Sequence, residues 1–224
     1  MNIDYFLIMD NRQKIFEIFE VPDPIRIKKS VNFIRSKFSD LNGKNILECG
    51  MAKGGFVDYL KNSGANLFGV DINPRSSIDG VKIFQADLND GFPEFGAKFD
   101  VIFAGEVMEH LFDDTKFVRE AKKILNPGGY LMITVPNLVF SFNRIRMFFG
   151  KTPTFAYAPY HYHIYTKKTL EEIIGSEGFE ISKLISSHIL FSTRRNKIGR
   201  IFEILGDFFP SLGAHLMIFA RKKE

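Results

Sequence analysis

Short apolar runs alternate with amphipathic segments along most of this 224-residue chain, from Lys44 onward. Strands that alternate with helices usually form a mostly parallel sheet with helices on both faces. The pattern therefore predicts a doubly wound α/β fold, with helices over residues 115–125 and 167–177. Seven strands are expected: NILECG, NLFGVDI, VKIFQADL, FDVIFAGEV, YLMITVPN, a strand near residues 179–187, and AHLMIFARK.

Two segments stand outside this alternation. Residues 5–38 have helical periodicity that a VPDP turn interrupts, and they predict a helical N-terminal extension over residues 1–40. Residues 138–165 are aromatic and basic, and predict an insertion after the fifth strand that acts as a substrate lid. Residues 41–224 are expected to form one domain, because domains commonly have about 100–200 residues.

Composition limits the setting in which such a chain works. The net charge of +4 permits an anionic partner without requiring one. A single cysteine, Cys49, excludes an intramolecular disulfide and a cysteine-rich zinc site. The N-terminal segment lacks the pattern of a signal peptide, and no apolar stretch reaches the ~18–20 residues that span a bilayer. We therefore expect a soluble, cytoplasmic protein, with its oligomeric state left open.

A glycine turn, ILECGMAKGG, follows the first predicted strand. Glycine lets a ligand approach the backbone, and ligands of open α/β sheets bind beyond the carboxyl ends of the strands. Asp71 ends the second strand and Asp87 follows the third, so both are expected beside this crevice, with Asp71 placed to accept hydrogen bonds from ribose hydroxyls. An acid after the second strand also suits NAD, but the turn does not have the GxGxxG spacing of NAD-binding folds.

These motifs together resemble the class I S-adenosylmethionine-dependent methyltransferases, whose first motif reads approximately acid-x-Gly-x-Gly-x-Gly. Glu48, Gly50 and Gly54 match it, and Ala52 replaces the middle glycine. GVDI and ADL resemble the ribose-binding and adenine-binding motifs of the family, and FDVIFAGEVMEHL and LNPGGYLMITVPN resemble its fourth-strand and fifth-strand motifs. The resemblance covers residues 44–222 and implies a Rossmann-like methyltransferase fold.

The resemblance also implies how S-adenosylmethionine is bound. The glycines of the first motif let the methionine part and the ribose approach the backbone, and Glu48 shapes the turn or meets the amino group. Asp71 holds the ribose hydroxyls, Asp87 holds the adenine amino group, and Leu88 supplies a backbone contact. Glu106, with the glycine before it, closes over the sulfonium end.

A further motif, EVMEHL, follows the fourth predicted strand, where the methyl acceptor should lie. Methyl transfer requires the protein to align the acceptor and to help remove a proton from a hydroxyl or amine. Glu106, Glu109 and His110 have the i, i+3, i+4 spacing that places side chains on one face of a helical turn. Two carboxylates and an imidazole form a ligand set that suits a divalent ion.

The Glu-x-x-Glu-His motif with a later histidine resembles two branches of the family, the ubiquinone-pathway O-methyltransferases and the metal-dependent methyltransferases of small-RNA 3′ ends. The later histidine is His161 when counted back from residues 165–166, with His163 as the alternative. We therefore consider Mg²⁺ or another divalent metal that lowers the pKa of an acceptor hydroxyl, held by Glu106, Glu109, His110 and His161. Two alternatives stay open: metal-free catalysis or orientation by the histidines, and a purely structural role.

The sequence constrains the methyl acceptor less strongly than it constrains the cofactor. Residues 138–165 suit a lid over an apolar or anionic acceptor, stacking on nucleic acid, or a hydrophobic flap packed on the sheet. The segment RRNKIGRIFEILGDFF resembles a membrane-surface helix, although a helix that covers the domain is the favoured alternative. We expect O-methylation of a small or lipid-like acceptor, with peripheral membrane contact as an option. An RNA-modifying enzyme ranks second, since there is no recognisable RNA-binding module, and a non-catalytic S-adenosylmethionine-binding protein ranks third.

Overall fold

The computed structural model describes residues 24–51, 55–74, 77–154, 160–189 and 197–223. Within these residues, seven strands and five α-helices follow one another along the chain. The strands are β1 Asn45–Cys49, β2 Asn66–Asp71, β3 Val81–Gln85, β4 Phe99–Gly105, β5 Leu125–Pro136, β6 Phe179–Ser186 and β7 His215–Lys222. The helices are α1 Pro24–Lys37, α2 Asp114–Ile124, α3 Ser141–Phe148, α4 Lys167–Ser176 and α5 Lys197–Phe208.

All seven strands belong to one sheet with the order β3-β2-β1-β4-β5-β7-β6. Strands β1 to β5 pair in parallel, whereas β7 is antiparallel to both of its neighbours, β5 and β6. The predicted doubly wound, mostly parallel α/β sheet is therefore confirmed. Because β7 runs in the opposite direction, it begins at the edge of the sheet where the parallel strands end.

Alternate residues of the central strands pack into two separate cores, one on each face of the sheet. On one face, Leu47 of β1 and Ile102 of β4 pack with buried residues of α2 and α4. On the other face, Ile46 and Val101 pack with α1 and with the short connection that follows β1. Strands buried on both faces need the nearly continuous apolar runs that the sequence contains.

Helix α1 is part of this packing. Phe33 stacks on Phe219 of β7 with ring centroids 4.2 Å apart, and Ile34 is fully buried. Pro24 opens the helix, where a missing N–H costs nothing because the first N–H groups have no intrahelical acceptor. Lys29 donates to the carboxylate of Asp207 and so ties α1 to α5. The remainder of the predicted N-terminal helical segment, residues 5–23, lies outside the described residues.

The insertion after β5 contains α3 and is anchored by one buried amide. Asn143 accepts hydrogen bonds from the backbone N–H and the hydroxyl of Thr154 and donates to the carbonyl oxygen of Leu138. The predicted lid continues through residues 155–159, which lie outside the described residues. No helix in the described part of the chain is both long enough and apolar enough to cross a membrane.

Candidate functional site

The carboxyl edge of the sheet opens at the glycine turn after β1. Gly50 has φ 65°, a backbone conformation that glycine adopts without strain. A Cβ at this position would lie 2.5 Å from Cγ2 of Val107, so no side chain fits between the turn and the end of β4. Gly54 and Ala52 lie outside the described residues. The turn at Gly50 is thus packed so closely against Val107 that only glycine fits at this position.

Glu48, the acid of the first motif, is buried beneath this turn. Its Oε1 accepts hydrogen bonds from the backbone N–H groups of Phe56 at 3.0 Å and Gly55 at 3.4 Å, and Oε2 accepts one from Val57 at 2.9 Å. The carboxylate therefore accepts hydrogen bonds from the N–H groups of the residues that precede the 3-10 turn Asp58–Leu60. Of the two roles considered for Glu48, this geometry supports shaping the turn.

Burial raises the pKa of Glu48 to about 7, and the charge of Asp71 adds to this effect, while the three backbone hydrogen bonds oppose it. A carboxyl whose pKa is raised in the folded state contributes most to stability below its ordinary pKa, and that contribution is lost as the pH rises through the folded value. We expect the free energy of unfolding to fall by up to roughly 3 kcal/mol through this group between about pH 5 and about pH 8.

The Glu48→Gln variant tests this prediction by chemical denaturation across that pH range. The amide presents one donor group and one acceptor oxygen, as the protonated carboxyl does, so the stability of the variant at acid pH should be within about 1 kcal/mol of that of the wild type. Its stability should also decline less steeply with pH than that of the wild type. Glu94→Gln, at an exposed acid, is the control. A Glu48→Gln variant with the slope of the wild type would refute the assignment.

The two acids that the sequence placed beside the crevice lie at the ends of neighbouring strands. Asp71 ends β2, and its Oδ1 accepts a hydrogen bond from the N–H of Asn73 at 2.8 Å. Asp87 follows β3, and its Oδ1 accepts from the N–H and the side-chain amide of Asn89, both at 2.9 Å. Leu88 is half-buried against the core. Both acids are thus held in tight local turns at the carboxyl edge.

Beyond β4, three of the four proposed metal-binding residues come together. One possible ligand atom from each of Glu109, His110 and His161 lies within 4.8 Å of those of the other two. Glu109 is buried, and its Oε2 has no hydrogen-bond partner among the described residues. Burial, followed by the nearby charge of Glu106, raises the pKa of Glu109 well above its usual range. A buried carboxylate oxygen without a partner is the feature that a cation or a donor hydrogen would satisfy.

The orientation of His110 is fixed by the insertion. Its Nδ1 lies 3.0 Å from the carbonyl oxygen of Tyr160, and because a carbonyl only accepts, Nδ1 carries the proton and Nε2 carries the lone pair of the neutral ring. Tyr162 donates its backbone N–H to the carbonyl oxygen of Glu109 at 2.7 Å. The His161 ring meets the His110 ring edge to face, with centroids 4.8 Å apart. The end of the insertion is therefore docked on the turn that carries Glu109 and His110.

His163, the alternative to His161, faces away from this group. Its Nε2 lies 3.3 Å from the carbonyl oxygen of Phe112, and its Nδ1 lies 3.6 Å from Asp114. Asp114 also accepts a hydrogen bond from the hydroxyl of the buried Tyr165. The structure thus brings His161, and not His163, to Glu109 and His110.

Glu106 is not brought together with those three residues. It has φ 58°, a left-handed conformation that is uncommon for a residue with a side chain and that often marks functional sites. Its Oε1 lies 3.1 Å from the Arg26 guanidinium and accepts a hydrogen bond from the hydroxyl of Thr134 at 3.2 Å. Its Oε2 lies 3.7 Å from Nε2 of His215. Glu106 therefore forms a polar group with side chains from α1, β5 and β7 at the same edge of the sheet.

Arg26, Thr134, His215 and Tyr160 are the members of the site that the sequence did not indicate. Arg26 is 80 positions away from Glu106 in the chain, and no local motif marks such a contact. His215 reaches the carboxyl edge only because β7 is antiparallel, and strand direction cannot be deduced from the apolar run AHLMIFARK. Tyr160 acts through its carbonyl oxygen, which every residue type possesses.

Comparisons with known proteins agree with the fold. Residues 23–184 match a family described as "Methyltransferase domain". The chain is 29% identical over 146 residues to a probable S-adenosylmethionine-dependent methyltransferase of Mycolicibacterium smegmatis, covering 62% of this chain and 53% of that protein. It is 29% identical over 157 residues to a ubiquinone biosynthesis O-methyltransferase of Azorhizobium caulinodans, covering 64% and 62%. The chain thus spans between about half and two thirds of the length of these curated relatives.

A solved structure shows the same fold. The 1,6-didemethyltoxoflavin-N1-methyltransferase of Burkholderia thailandensis, with bound 1,6-didemethyltoxoflavin and S-adenosylhomocysteine, is similar to this chain with a TM-score of 0.64 and 14% identity. The similarity covers 99% of this chain and 90% of that one. The chain has the glycine turn and the acids after β2 and β3, and the family match covers most of its length. It therefore belongs to the class I S-adenosylmethionine-dependent methyltransferase family.

Proposed function

We propose that the chain transfers a methyl group from S-adenosylmethionine to an oxygen atom of a small or lipid-like acceptor. The observation that carries the proposal is the group formed by Glu109, His110 and His161 just beyond β4, at the edge of the sheet where the glycine turn and Asp71 also lie. A proton-accepting imidazole beside a cofactor crevice is what transfer to a hydroxyl requires.

Residues along the carboxyl edge would hold the cofactor, and their geometry fits it. Gly50 lets the backbone of the turn pack closely against Val107, and this backbone would contact the methionine part. Asp71 would accept hydrogen bonds from the ribose hydroxyls, and Asp87 with Leu88 would contact the adenine. Gly54 would complete the turn. When bound, S-adenosylmethionine supplies an electrophilic methyl group, and the protein aligns the acceptor with it.

His110 is the residue that would handle the acceptor proton. The Tyr160 carbonyl holds the Nδ1–H, which leaves the lone pair of Nε2 as the acceptor of a proton. His161, against the His110 ring, would orient the acceptor or share the proton. Glu106 is bonded to Arg26 and Thr134, and we propose that it shapes the sulfonium end of the crevice through this contact.

The same residues fit a divalent metal. Glu109 supplies a buried oxygen without a hydrogen-bond partner, and two imidazoles complete a set of one oxygen and two nitrogen ligands. Imidazole nitrogen suits Mn²⁺, Fe²⁺ or Zn²⁺ better than Mg²⁺, which prefers oxygen ligands. Such an ion would lower the pKa of an acceptor hydroxyl. Glu109, His110 and His161 would hold it, while Glu106 lies with Arg26. In this alternative Nε2 of His110 would be a metal ligand and not the acceptor of the proton.

Calorimetric titration of Mn²⁺ and Mg²⁺ into the protein tests the metal. We expect Mn²⁺ to bind more tightly than Mg²⁺ and the Mn²⁺ signal to disappear in His161→Ala. The His163→Ala variant removes a histidine two residues away that does not face the group, and should bind Mn²⁺ as the wild type does. Identical titrations in all three proteins would eliminate the metal and leave His110 as a metal-free base.

The acceptor class is tested with methyl-labelled S-adenosylmethionine and three acceptor pools: a lipid extract, small polar metabolites, and total RNA. Label that enters the lipid or metabolite pool as a base-stable methyl ether, and that His110→Ala does not transfer, would support the proposal. Label in RNA would replace the acceptor with a nucleic acid. Cofactor binding without label in any pool would favour a non-catalytic binding protein.

A further inference from the structure

Exposed apolar side chains are concentrated in two segments of the chain. Phe148 at the end of α3 is 84% exposed, and Phe208 at the end of α5 is 72% exposed. Eight of the thirteen large hydrophobic side chains that are exposed in the described residues belong to these segments: Ile145, Met147, Phe148, Phe149, Ile201, Ile204, Phe208 and Phe209. Large exposed apolar patches on a protein usually mark an interaction site.

The two segments are neighbours in the fold. The Arg144 guanidinium of α3 donates to the carbonyl oxygen of Ser211, three residues after the end of α5, at 3.2 Å. Within α5, Ile201, Ile204 and Phe208 have i, i+3, i+7 spacing and share one face of the helix. We name residues 144–151 and 200–209 the apolar-basic surface.

Basic residues accompany the apolar ones and outnumber the acidic residues of the surface. Residues 138–166 contain no Asp or Glu, whereas they include Arg144, Arg146 and Lys151. In α5, Arg200 is exposed beside the apolar face, and Asp207 is paired with Lys29 of α1 at 2.6 Å. Glu203 is the other acid of the surface, so its four basic residues exceed its two acidic ones. The apolar side chains therefore lie in a positively charged setting.

We propose that the apolar-basic surface binds an anionic lipid bilayer. Aromatic and aliphatic side chains on one face of a helix enter the boundary between headgroups and acyl chains, and neighbouring basic residues attract anionic headgroups. A symmetric dimer through this surface would bring together two surfaces that are both positively charged, and such like-charge contacts oppose association. A negatively charged bilayer complements both properties of the surface.

The surface and the candidate active site are linked through the insertion after β5. Helix α3 begins five residues after the end of β5, and the insertion that contains it returns to the Glu109 and His110 turn at Tyr160 and Tyr162. A protein seated on a bilayer through α3 would thus meet a lipid-like acceptor beside its catalytic group. This step rests on the proposed function, whereas bilayer binding itself does not.

Sedimentation with vesicles tests the proposal on the full chain. We use vesicles of phosphatidylcholine alone and vesicles of phosphatidylcholine and phosphatidylglycerol in equal parts. The wild type should bind the anionic vesicles at least about tenfold more tightly, and the difference should shrink as salt is added. Equal binding to both vesicle types, or no binding to either, would overturn the proposal.

Two pairs of variants locate the contact. Lys151→Gln with Arg200→Gln removes two exposed charges from the surface and should weaken binding to anionic vesicles by about 25-fold, at about fivefold for each residue. The control double variant, Lys98→Gln with Lys123→Gln, loses the same amount of charge from exposed residues near the amino ends of β4 and β5. This variant should bind anionic vesicles as the wild type does. Equal losses in both pairs would show that only the net charge matters and would overturn the assignment of the surface.

The apolar contribution is tested with Phe148→Ser and Phe208→Ser, whose exposed side chains can be replaced without disturbing the core. The double variant should bind vesicles about tenfold or more weakly, whereas Tyr59→Ser, at an exposed aromatic residue outside the surface, should not. A wild type with the mass of a dimer that becomes monomeric in the phenylalanine variant would assign the surface to a second copy. Failure of vesicle binding would leave the methyl-transfer proposal intact, since no cofactor or turnover is involved.

Discussion

His110→Ala is expected to lower the rate of methyl transfer by roughly 10²–10⁴-fold while S-adenosylmethionine still binds. The imidazole is held by the Tyr160 carbonyl through Nδ1, and its Nε2 carries the lone pair that would take the acceptor proton. Alanine removes that acceptor. The residues that would hold the cofactor belong to the turns after β1, β2 and β3, which do not depend on His110. The rate is measured with the labelled acceptor pool and the affinity by calorimetry.

The control for this prediction is His163→Ala, in the same segment as His161 but turned toward Phe112 and Asp114. It should keep the rate of the wild type to within about threefold, since it contacts none of the reacting groups. Added imidazole should partly restore transfer by His110→Ala if the ring acts as a base, and should not do so if His110 only anchors Tyr160. Equal rates for the two variants would contradict the role assigned to His110.

Gly50→Ala should destabilise the fold by about 2–5 kcal/mol and weaken S-adenosylmethionine binding by at least about tenfold. Two effects add: the left-handed backbone disfavours any Cβ, and the new Cβ would lie 2.5 Å from Val107. Because Val107 lies beside the end of β4, relief of this contact must move either the turn or the residues that lead to Glu109. Chemical denaturation and calorimetry measure the two consequences.

Gly43→Ala isolates the backbone effect. Gly43 has φ 70°, close to that of Gly50, but a Cβ there would meet nothing within 4 Å. This variant should lose only about 1–2 kcal/mol and should bind the cofactor as the wild type does. If Gly43→Ala and Gly50→Ala were equally destabilised and equally competent in binding, the close approach at Gly50 would have no functional meaning.

The sheet could be predicted from the sequence because its strands are buried on both faces and therefore appear as apolar runs. The acids at the crevice could be predicted for a related reason, since Asp71 and Asp87 follow two of those runs directly. A simple alternation of strands and helices would place a longer helix between β1 and β2, and the structure has a shorter connection there. It contains the 3-10 turn Asp58–Leu60, whose preceding N–H groups are held by Glu48 instead of by the previous turn of a longer helix.

The arrangement beyond β4 could be predicted only in part. The spacing of Glu106, Glu109 and His110 would place all three on one face of an α-helix, but Glu106 adopts a left-handed conformation before a 3-10 turn that spans Met108–His110. This geometry turns Glu106 toward Arg26 and leaves Glu109 and His110 to meet His161. The backbone conformation of Glu106 thus determines which side chains come together. The i, i+3, i+4 spacing of the sequence does not reveal that conformation.

Thermal unfolding of the purified protein with S-adenosylmethionine, S-adenosylhomocysteine, NAD or buffer alone tests cofactor binding at the carboxyl edge most directly. A ligand that binds only the folded state at about 100 times its Kd stabilises it by about 2.7 kcal/mol. We predict that both sulfur nucleosides raise the midpoint and that NAD does not. A midpoint raised by NAD alone, or by none of the three, would contradict the assignment of the crevice to S-adenosylmethionine.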